Sequence, residues 1–263
     1  MRAAELEKMY RLEDTYWWFV ARRALLRDLL ARRLRRAFPR GNARVWEPRL
    51  GGDRGPLCIL DVGCGTGATL AVLTEFGQVV GIDSSPEALR WCRRRAPYHL
   101  VLARGEALPV KSEAADVITA LDLLEHIPDD GAAVAEFARV LRPGGLLVAT
   151  VPALPWLWSG HDEALDHLRR YPASRLRQCL EQAGLEVVRL TPLIASLLPP
   201  VAALRLLQRV LSRKNAHPQT AFIVPPRPVN WLLTALLWLE NRWALRWNLP
   251  LGVSLMAVAR KPE

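Results

Sequence analysis

The sequence predicts an α/β domain built on a doubly wound, mostly parallel sheet. Three observations carry that prediction. From Leu57 to Pro152, short apolar runs alternate with amphipathic stretches, the pattern of repeated βα units. The first run ends in a glycine-rich turn, Gly63, Gly65 and Gly67, that leads straight into a helical stretch. The second ends in Asp83, twenty residues past Gly63, where an acidic side chain can accept hydrogen bonds from the hydroxyls of a ribose.

In chain order, strands are predicted at Leu57–Val62, Gln78–Ile82, His99–Ala103, Asp116–Leu121 and Leu146–Val151, and helices at Gly67–Phe76, Pro86–Arg95 and Gly131–Leu141. Pro86 suits a first helical turn capped by Ser84 or Ser85, and Pro143-Gly144-Gly145 supplies a sharp turn after a helix ending at Arg142. Beyond Pro152 come a loop rich in His, Asp and Arg, a helix at Ala173–Ala183 stopped by Gly184, a strand at Leu185–Leu190 and a last strand at Val253–Ala259. The intervening Thr191–Gly252 is an apolar, proline-containing, arginine-dotted insertion. The chain thus divides into a helical lid and linker (1–56), a core (57–192 with 251–263) and an amphipathic helical insertion (193–250).

With 51% apolar and 24% charged residues, the 263-residue chain has a globular composition that confines disorder to short stretches such as Arg40–Arg54 and Arg213–Pro228. Charge is unevenly placed. Met1–Pro56 and Ala153–Glu263 each carry 14 basic and 7 acidic residues, whereas Leu57–Pro152 carries 8 and 12. Basic flanks around an acidic middle fit an anionic partner (nucleic acid, a phospholipid surface or a phosphorylated substrate) or simply solvated arginine faces. Cys58, Cys64, Cys92 and Cys179 form no CxxC pair and no set with His at metal spacing, so a reduced cytoplasmic setting and no metal are expected. Met1–Val20 lacks a signal-peptide core, and the longest apolar runs, Leu190–Leu204 and Trp231–Leu239, are interrupted or too short to span a bilayer.

The glycine turn alone also satisfies the dinucleotide pattern of dehydrogenases. Five motifs in order separate the two: "LDVGCGTG" (Leu60–Gly67), "GIDSS" (Gly81–Ser85), "GEALP" (Gly105–Pro109), "DVITALDLLEHI" (Asp116–Ile127) and "VLRPGGLLVATVP" (Val140–Pro152). Together they resemble the class I S-adenosylmethionine-dependent methyltransferases over roughly Leu57–Pro152. The resemblance implies a seven-stranded, Rossmann-like sheet with an antiparallel last strand and S-adenosylmethionine as cofactor. It places Asp61, Gly63, Cys64, Gly65 and Gly67 near the methionine part, Asp83 and Ser84 at the ribose, Glu106 and Ala107 beside the adenine, and Asp122 and Leu123 beside the sulfonium. Cys64 reads as a packed loop residue rather than a nucleophile.

Methyl transfer from a sulfonium needs positioning, a dry site and, for a hydroxyl acceptor, a base. "SGHDEALDHLRRY" (Ser159–Tyr171) is the densest source of candidates: His161 as base with Asp162 fixing its tautomer, then His167. Arg170 and Tyr171 are candidates for gripping an anionic acceptor. The same residues could instead bond one another to hold a loop. In the insertion, Trp231, Trp238, Trp243 and Trp247 recur near helical spacing among Arg205, Arg209, Arg213, Lys214, Arg242 and Arg246. Such helices suit a bilayer boundary, a greasy substrate tunnel or a core of their own.

"YWWFVARR" (Tyr16–Arg23), "HDEALDHLRRY" and the closing "LPLGVSLMAVARKP" also resemble a subgroup of bacterial methyltransferases associated with cell-envelope glycan or lipid pathways. The expected activity is methyl transfer to a hydroxyl or carboxyl oxygen of a hydrophobic, lipid-like or lipid-linked small molecule, in the cytoplasm and at the inner membrane face. An RNA or DNA methyltransferase is an alternative, but "LDLLEH" departs from the Asn/Asp-Pro-Pro-aromatic signature of base-amine methylation. A non-catalytic cofactor-binding subunit is another. Tyr16–Arg23 is expected to form a lid in which one tryptophan closes the cleft and Arg22 or Arg23 reaches the cofactor's carboxylate or an anionic acceptor, a lid whose loss weakens cofactor binding but leaves the core folded.

Overall fold

Strands buried on both faces need helices on both sides, and the chain supplies them from three separate segments. The computed structural model describes residues 3–37, 56–211 and 224–263. Two helices, α1 (Ala3–Leu12) and α2 (Trp17–Ala37), precede the sheet. The βα run follows as β1 (Cys58–Val62), α3 (Leu70–Leu73), β2 (Gln78–Asp83), α4 (Pro86–Arg95), β3 (His99–Leu102), β4 (Ala115–Leu121), α5 (Asp130–Val140) and β5 (Leu141–Pro152). Then come α6 (Gly160–Ala164), α7 (Ala173–Gln182), β6 (Glu186–Leu193), α8 (Leu198–Leu211), α9 (Arg227–Ala244) and β7 (Ser254–Arg260). The expected stretch Arg40–Arg54 and residues 213–223 of Arg213–Pro228, with Arg213 and Lys214, fall outside the described residues, whereas the end of the latter is not irregular: Arg227 and Pro228 open α9.

The seven strands form one sheet in the order β3-β2-β1-β4-β5-β7-β6. The first five are parallel, and β7 runs antiparallel between β5 and β6, with Ala149 opposite Ala257 and Ala257 opposite Leu190. The strand order reverses at β1 and β4, so the crevice beyond their carboxyl ends is where a ligand is expected. Ser85 caps α4 by accepting from the Ala88 N–H, with Pro86 at the first helical position, and Asp129 caps α5 through the Ala132 N–H.

One face of the sheet is covered by α5 and α7, with Phe137, Leu141, Tyr171 and Leu176 fully buried. The other is covered by α2, α3 and α9. There Leu25, Leu26, Leu29 and Leu30 of α2 pack with Ile59, Leu70, Val117, Val148 and Met256. Four buried leucines at roughly 1.5–3 kcal/mol each make α2 a core element. The expectation of a dispensable lid is therefore corrected: without α2 this face of the sheet lies open. The insertion is not separate from it either. Asn230 of α9 accepts from the Trp17 N–H at 2.9 Å and donates to the Thr15 carbonyl at 2.8 Å, while Asn241 donates to the Ala21 carbonyl at 3.0 Å. An amide on α9 thus supplies the partner that the start of α2 lacks in its own sequence.

Other differences from the sequence reading are local. The helix expected over Gly67–Phe76 is a single α-helical turn, Leu70–Leu73, because Gly67 holds a left-handed φ of 86° and the segment begins in turns. The helix before Pro143 ends at Val140, and β5 begins at once. β6 runs three residues past the predicted end, to Leu193, where it still pairs with Ser254.

Candidate functional site

β1, β2 and β4 end side by side, delivering the Gly63–Gly67 turn, Asp83 and Asp122 to one edge of the sheet. Gly63 and Cys64 donate backbone N–H bonds to the Ile82 carbonyl at 2.8 and 3.0 Å, which clamps the turn onto β2. Gly65 has a φ of 55°, and a Cβ there would meet nothing within 4 Å. It is a gap in the wall that a ligand can approach. Gly67 differs: a Cβ would overlap Cys92 Sγ of α4. Cys64 is buried, and its thiol is pushed far up by the hydrogen bond with Cys92 and by burial, so it packs and does not attack.

The carboxylates around this gap exceed the cations. Asp61 is 2% exposed, and its Oδ1 accepts from the Thr119 hydroxyl at 2.6 Å. Burial lifts its pKa from 3.8 to about 7, against the pull of that hydrogen bond and of Arg22. Asp83 accepts from the N–H groups of Gly65 at 2.9 Å and Ser85 at 2.8 Å, and burial also raises its pKa. Asp122 sits at a left-handed φ of 52°, fixed by the Thr150 hydroxyl at 2.8 Å and by an ion pair with Arg22. A non-glycine residue held there is a strained position of the kind found at functional sites.

Arg22 is the arginine that reaches this edge. Its guanidinium lies 5.8 Å from the Trp18 ring centroid and 5.6 Å from that of Phe19, so the aromatic stretch aims it at Asp122. Arg23, singled out from the sequence as a cofactor contact, instead donates to the Glu13 carbonyl at 2.6 Å. One helical residue is about 100° of rotation, enough to separate their fates. Sequence reasoning missed Glu13, which is 5% exposed, accepts from the Thr66 hydroxyl inside the glycine turn and pairs with Arg95 at 3.0 Å. Arg95 also donates to the Thr66 carbonyl at 2.8 Å and to Asp14. The α1–α2 junction is thereby latched onto the glycine turn, and the only sequence signal was an acidic pair, Glu13-Asp14, beside a run of aromatics.

On the far side of the turn, Ser84 is exposed, Glu106 pairs with Arg104 at 2.8 Å, and Ala107 is exposed. Leu123 packs where a Cβ on Gly63 would sit, joining the β4 end to the turn.

The Ser159–Tyr171 loop is arranged differently from the expected His161–Asp162 pair. Asp162 Oδ2 accepts from the Ser159 N–H at 2.9 Å in a capping box, and Oδ1 takes Arg170 Nε at 2.7 Å and His167 Nδ1 at 3.1 Å. Asp162 therefore orients His167, not His161. Burial, then Arg205 of α8, lowers His161 to about 4, so it is neutral at neutral pH. Arg170 is buried, donating to Asp162 and the Ala153 carbonyl, and the fully buried Tyr171 hydroxyl bonds Asp130 at 2.7 Å. Neither is free to grip an acceptor, which corrects that expectation.

Residues 60–149 match a family model described as a methyltransferase domain. A ubiquinone biosynthesis O-methyltransferase of Xanthomonas campestris is 30% identical over 190 residues, 70% of this chain and 63% of that protein. A malonyl-[acyl-carrier protein] O-methyltransferase of Xylella fastidiosa is 37% identical over 107 residues, 38% of this chain and 36% of that protein. The chain thus spans less than two thirds of either relative. A solved S-adenosylmethionine-dependent methyltransferase of Archaeoglobus fulgidus shares the fold at a TM-score of 0.53 and 17% identity, covering 89% of this chain and 94% of that one. With the glycine turn, Asp83 and the antiparallel β7 in place, residues 60–149 are a methyltransferase domain, set in the fold of the class I S-adenosylmethionine-dependent methyltransferases.

Proposed function

We propose that this protein transfers the methyl group of S-adenosylmethionine to a hydroxyl or carboxyl oxygen of a hydrophobic, lipid-like or lipid-linked acceptor. The observation that carries the reading is the acidic basin at the open Gly65: Glu13, Asp61, Asp83 and Asp122 against Arg22 and Arg95. S-adenosylmethionine brings a sulfonium and an ammonium to such a basin, and each stabilises carboxylates that are otherwise costly to bury. Asp83 is the ribose partner and Asp61 faces the amino-acid end. In-line displacement neutralises the sulfonium, so the chain's task is to hold donor and acceptor in line and exclude water. His161, neutral at neutral pH and carried on the segment after β5, is the residue this reading assigns to take a hydroxyl proton.

The greasy acceptor is favoured by the insertion. Trp231, Leu232, Leu239, Trp243 and Trp247 are each at least 60% exposed, and Arg227, Arg242 and Arg246 are interspersed. An exposed apolar face of that kind marks an interaction surface, and its aromatic and cationic mixture suits the headgroup boundary of an anionic bilayer. Among the described residues no helix is long and apolar enough to cross a membrane. Both relatives named above are O-methyltransferases, in agreement with an oxygen acceptor.

The test is incubation with methyl-labelled S-adenosylmethionine and, in parallel, the organic-soluble and aqueous fractions of a cell extract. Label in an organic-soluble methyl ether or ester, identified by mass spectrometry, is the expected result. Label in nucleic acid alone, or in nothing, overturns the reading. The W231A/W243A double variant is expected to weaken co-sedimentation with phosphatidylglycerol-containing vesicles while keeping the parental melting temperature.

A further inference from the structure

Just beyond Asp122 lies a group of side chains that the methyl-transfer reading does not use. Glu125 is fully buried, and neither of its carboxylate oxygens has a hydrogen-bond partner. Buried carboxyl groups are almost always paired, because an unpaired one forfeits its hydration for nothing. Two imidazoles close around it. His167 Nε2 is 4.0 Å from Glu125 Oε1, the His126 and His167 rings meet edge to face at 4.9 Å, and one donor atom from each of the three residues lies within 4.8 Å of the others.

The two Nδ1 atoms are already used. His167 Nδ1 is bonded to Asp162 Oδ1 at 3.1 Å, and His126 Nδ1 is 3.3 Å from the Asp166 carbonyl. That leaves Nε2 of each ring with its lone pair for a ligand, in the carboxylate–histidine arrangement that orients metal-binding imidazoles. The Leu168 N–H bond to the Glu125 carbonyl at 2.8 Å holds the two loops together.

We propose that Glu125, His126 and His167 bind one divalent transition cation through a carboxylate oxygen and two Nε2 atoms. Two imidazoles and one carboxylate suit Zn2+, Co2+, Mn2+ or Fe2+ better than Mg2+ or Ca2+, which prefer all-oxygen shells. Bonds of about 2.0–2.2 Å bring ligand atoms to roughly 3–3.5 Å apart, so the cation draws the three side chains inward by well under a rotamer change. With three protein ligands, coordination positions remain for another oxygen, which makes an acceptor hydroxyl near the sulfonium the natural fourth ligand. That last consequence rests on the methyl-transfer reading; cation binding does not. No metal set is visible in the sequence because His126 and His167 stand 41 residues apart and join only when the loop after β5 folds back on Glu125.

The test uses the full chain, stripped with a chelator and titrated with Co2+, whose visible absorption reports imidazole and carboxylate coordination. One Co2+ per chain, displaced by Zn2+, is expected. Glu125→Gln and His126→Gln each lose one ligand and weaken binding by more than the about 10–100-fold that loss of an outer-shell partner costs. Absence of the visible band in the parental protein, or unchanged Co2+ affinity in the variants, overturns the proposal. Circular dichroism identifies a variant that fails to fold, and the other variant then decides. A chain that binds Co2+ in this way but transfers no methyl group contradicts the proposed activity and leaves the cation site standing.

Discussion

Replacing Asp61 with Asn isolates the cost of holding a carboxylate under the glycine turn. The side chain is fully buried, and burial raises its pKa from 3.8 to about 7. Between those values the folded protein holds a proton that the unfolded chain has released, so stability falls as pH rises through this window and levels off above 7. At 1.36 kcal/mol per decade, the penalty is about 1.7 kcal/mol at pH 5 and about 4 kcal/mol at pH 8. Asn keeps an oxygen for the Thr119 hydroxyl and carries no charge. Urea unfolding followed by far-UV circular dichroism is expected to show the variant gaining about 2.5 kcal/mol on its parent between pH 5 and pH 8. The same variant is expected to bind S-adenosylmethionine more weakly at pH 8, because the proposed partner of the cofactor's ammonium is an ionised Asp61. A stability difference between variant and parent that is equal at both pH values, or that moves toward the parent as pH rises, refutes the reasoning.

Three further predictions follow from packing and ion pairs. Glu13→Ala removes the buried carboxylate that joins Thr66 to Arg95 but leaves Arg95 its bonds to the Thr66 carbonyl and Asp14, and is expected to cost about 1–2 kcal/mol in denaturant unfolding; an unchanged midpoint would show that the latch carries no energy. Gly67→Ala combines a left-handed φ with overlap onto Cys92, for an expected loss of about 3 kcal/mol read as a lowered melting temperature, and a variant as stable as its parent would contradict the contact. A chain beginning at Arg54 lacks Leu25, Leu26, Leu29 and Leu30 from the face of the sheet, so it is expected to lose cooperative unfolding; a sharp thermal transition in that fragment would restore the detachable-lid reading.

Much of the fold is legible because local pattern and tertiary role coincide. The apolar runs at β1, β2, β4 and β5 are buried on both faces, and Pro86 and Gly184 mark helix boundaries by their own chemistry. The role of α2 is harder to read, because arginines at 22, 23, 27, 32, 33, 35 and 36 mask a leucine stripe and make the helix look like a solvated cover. The site divides along the same line. Gly63–Gly67 and Asp83 are adjacent or one βα unit apart, so spacing locates them. Arg22 and Arg23 differ only by their place around a helix, and Asp162 chooses His167 over its own neighbour because the capping box turns its carboxylate inward. The latch of Glu13 to Thr66 and the cluster at Glu125 join residues that are dozens of positions apart, and no periodicity records such a meeting.

Whether Gly65 and Asp83 hold S-adenosylmethionine is decided by isothermal titration of the parental protein and its Asp83→Ala variant. One cofactor per chain is expected for the parent and an affinity at least about tenfold lower for the variant, the cost of losing a charge-assisted pair of hydrogen bonds. No binding to the parent, or equal affinity in the two proteins, would contradict this assignment.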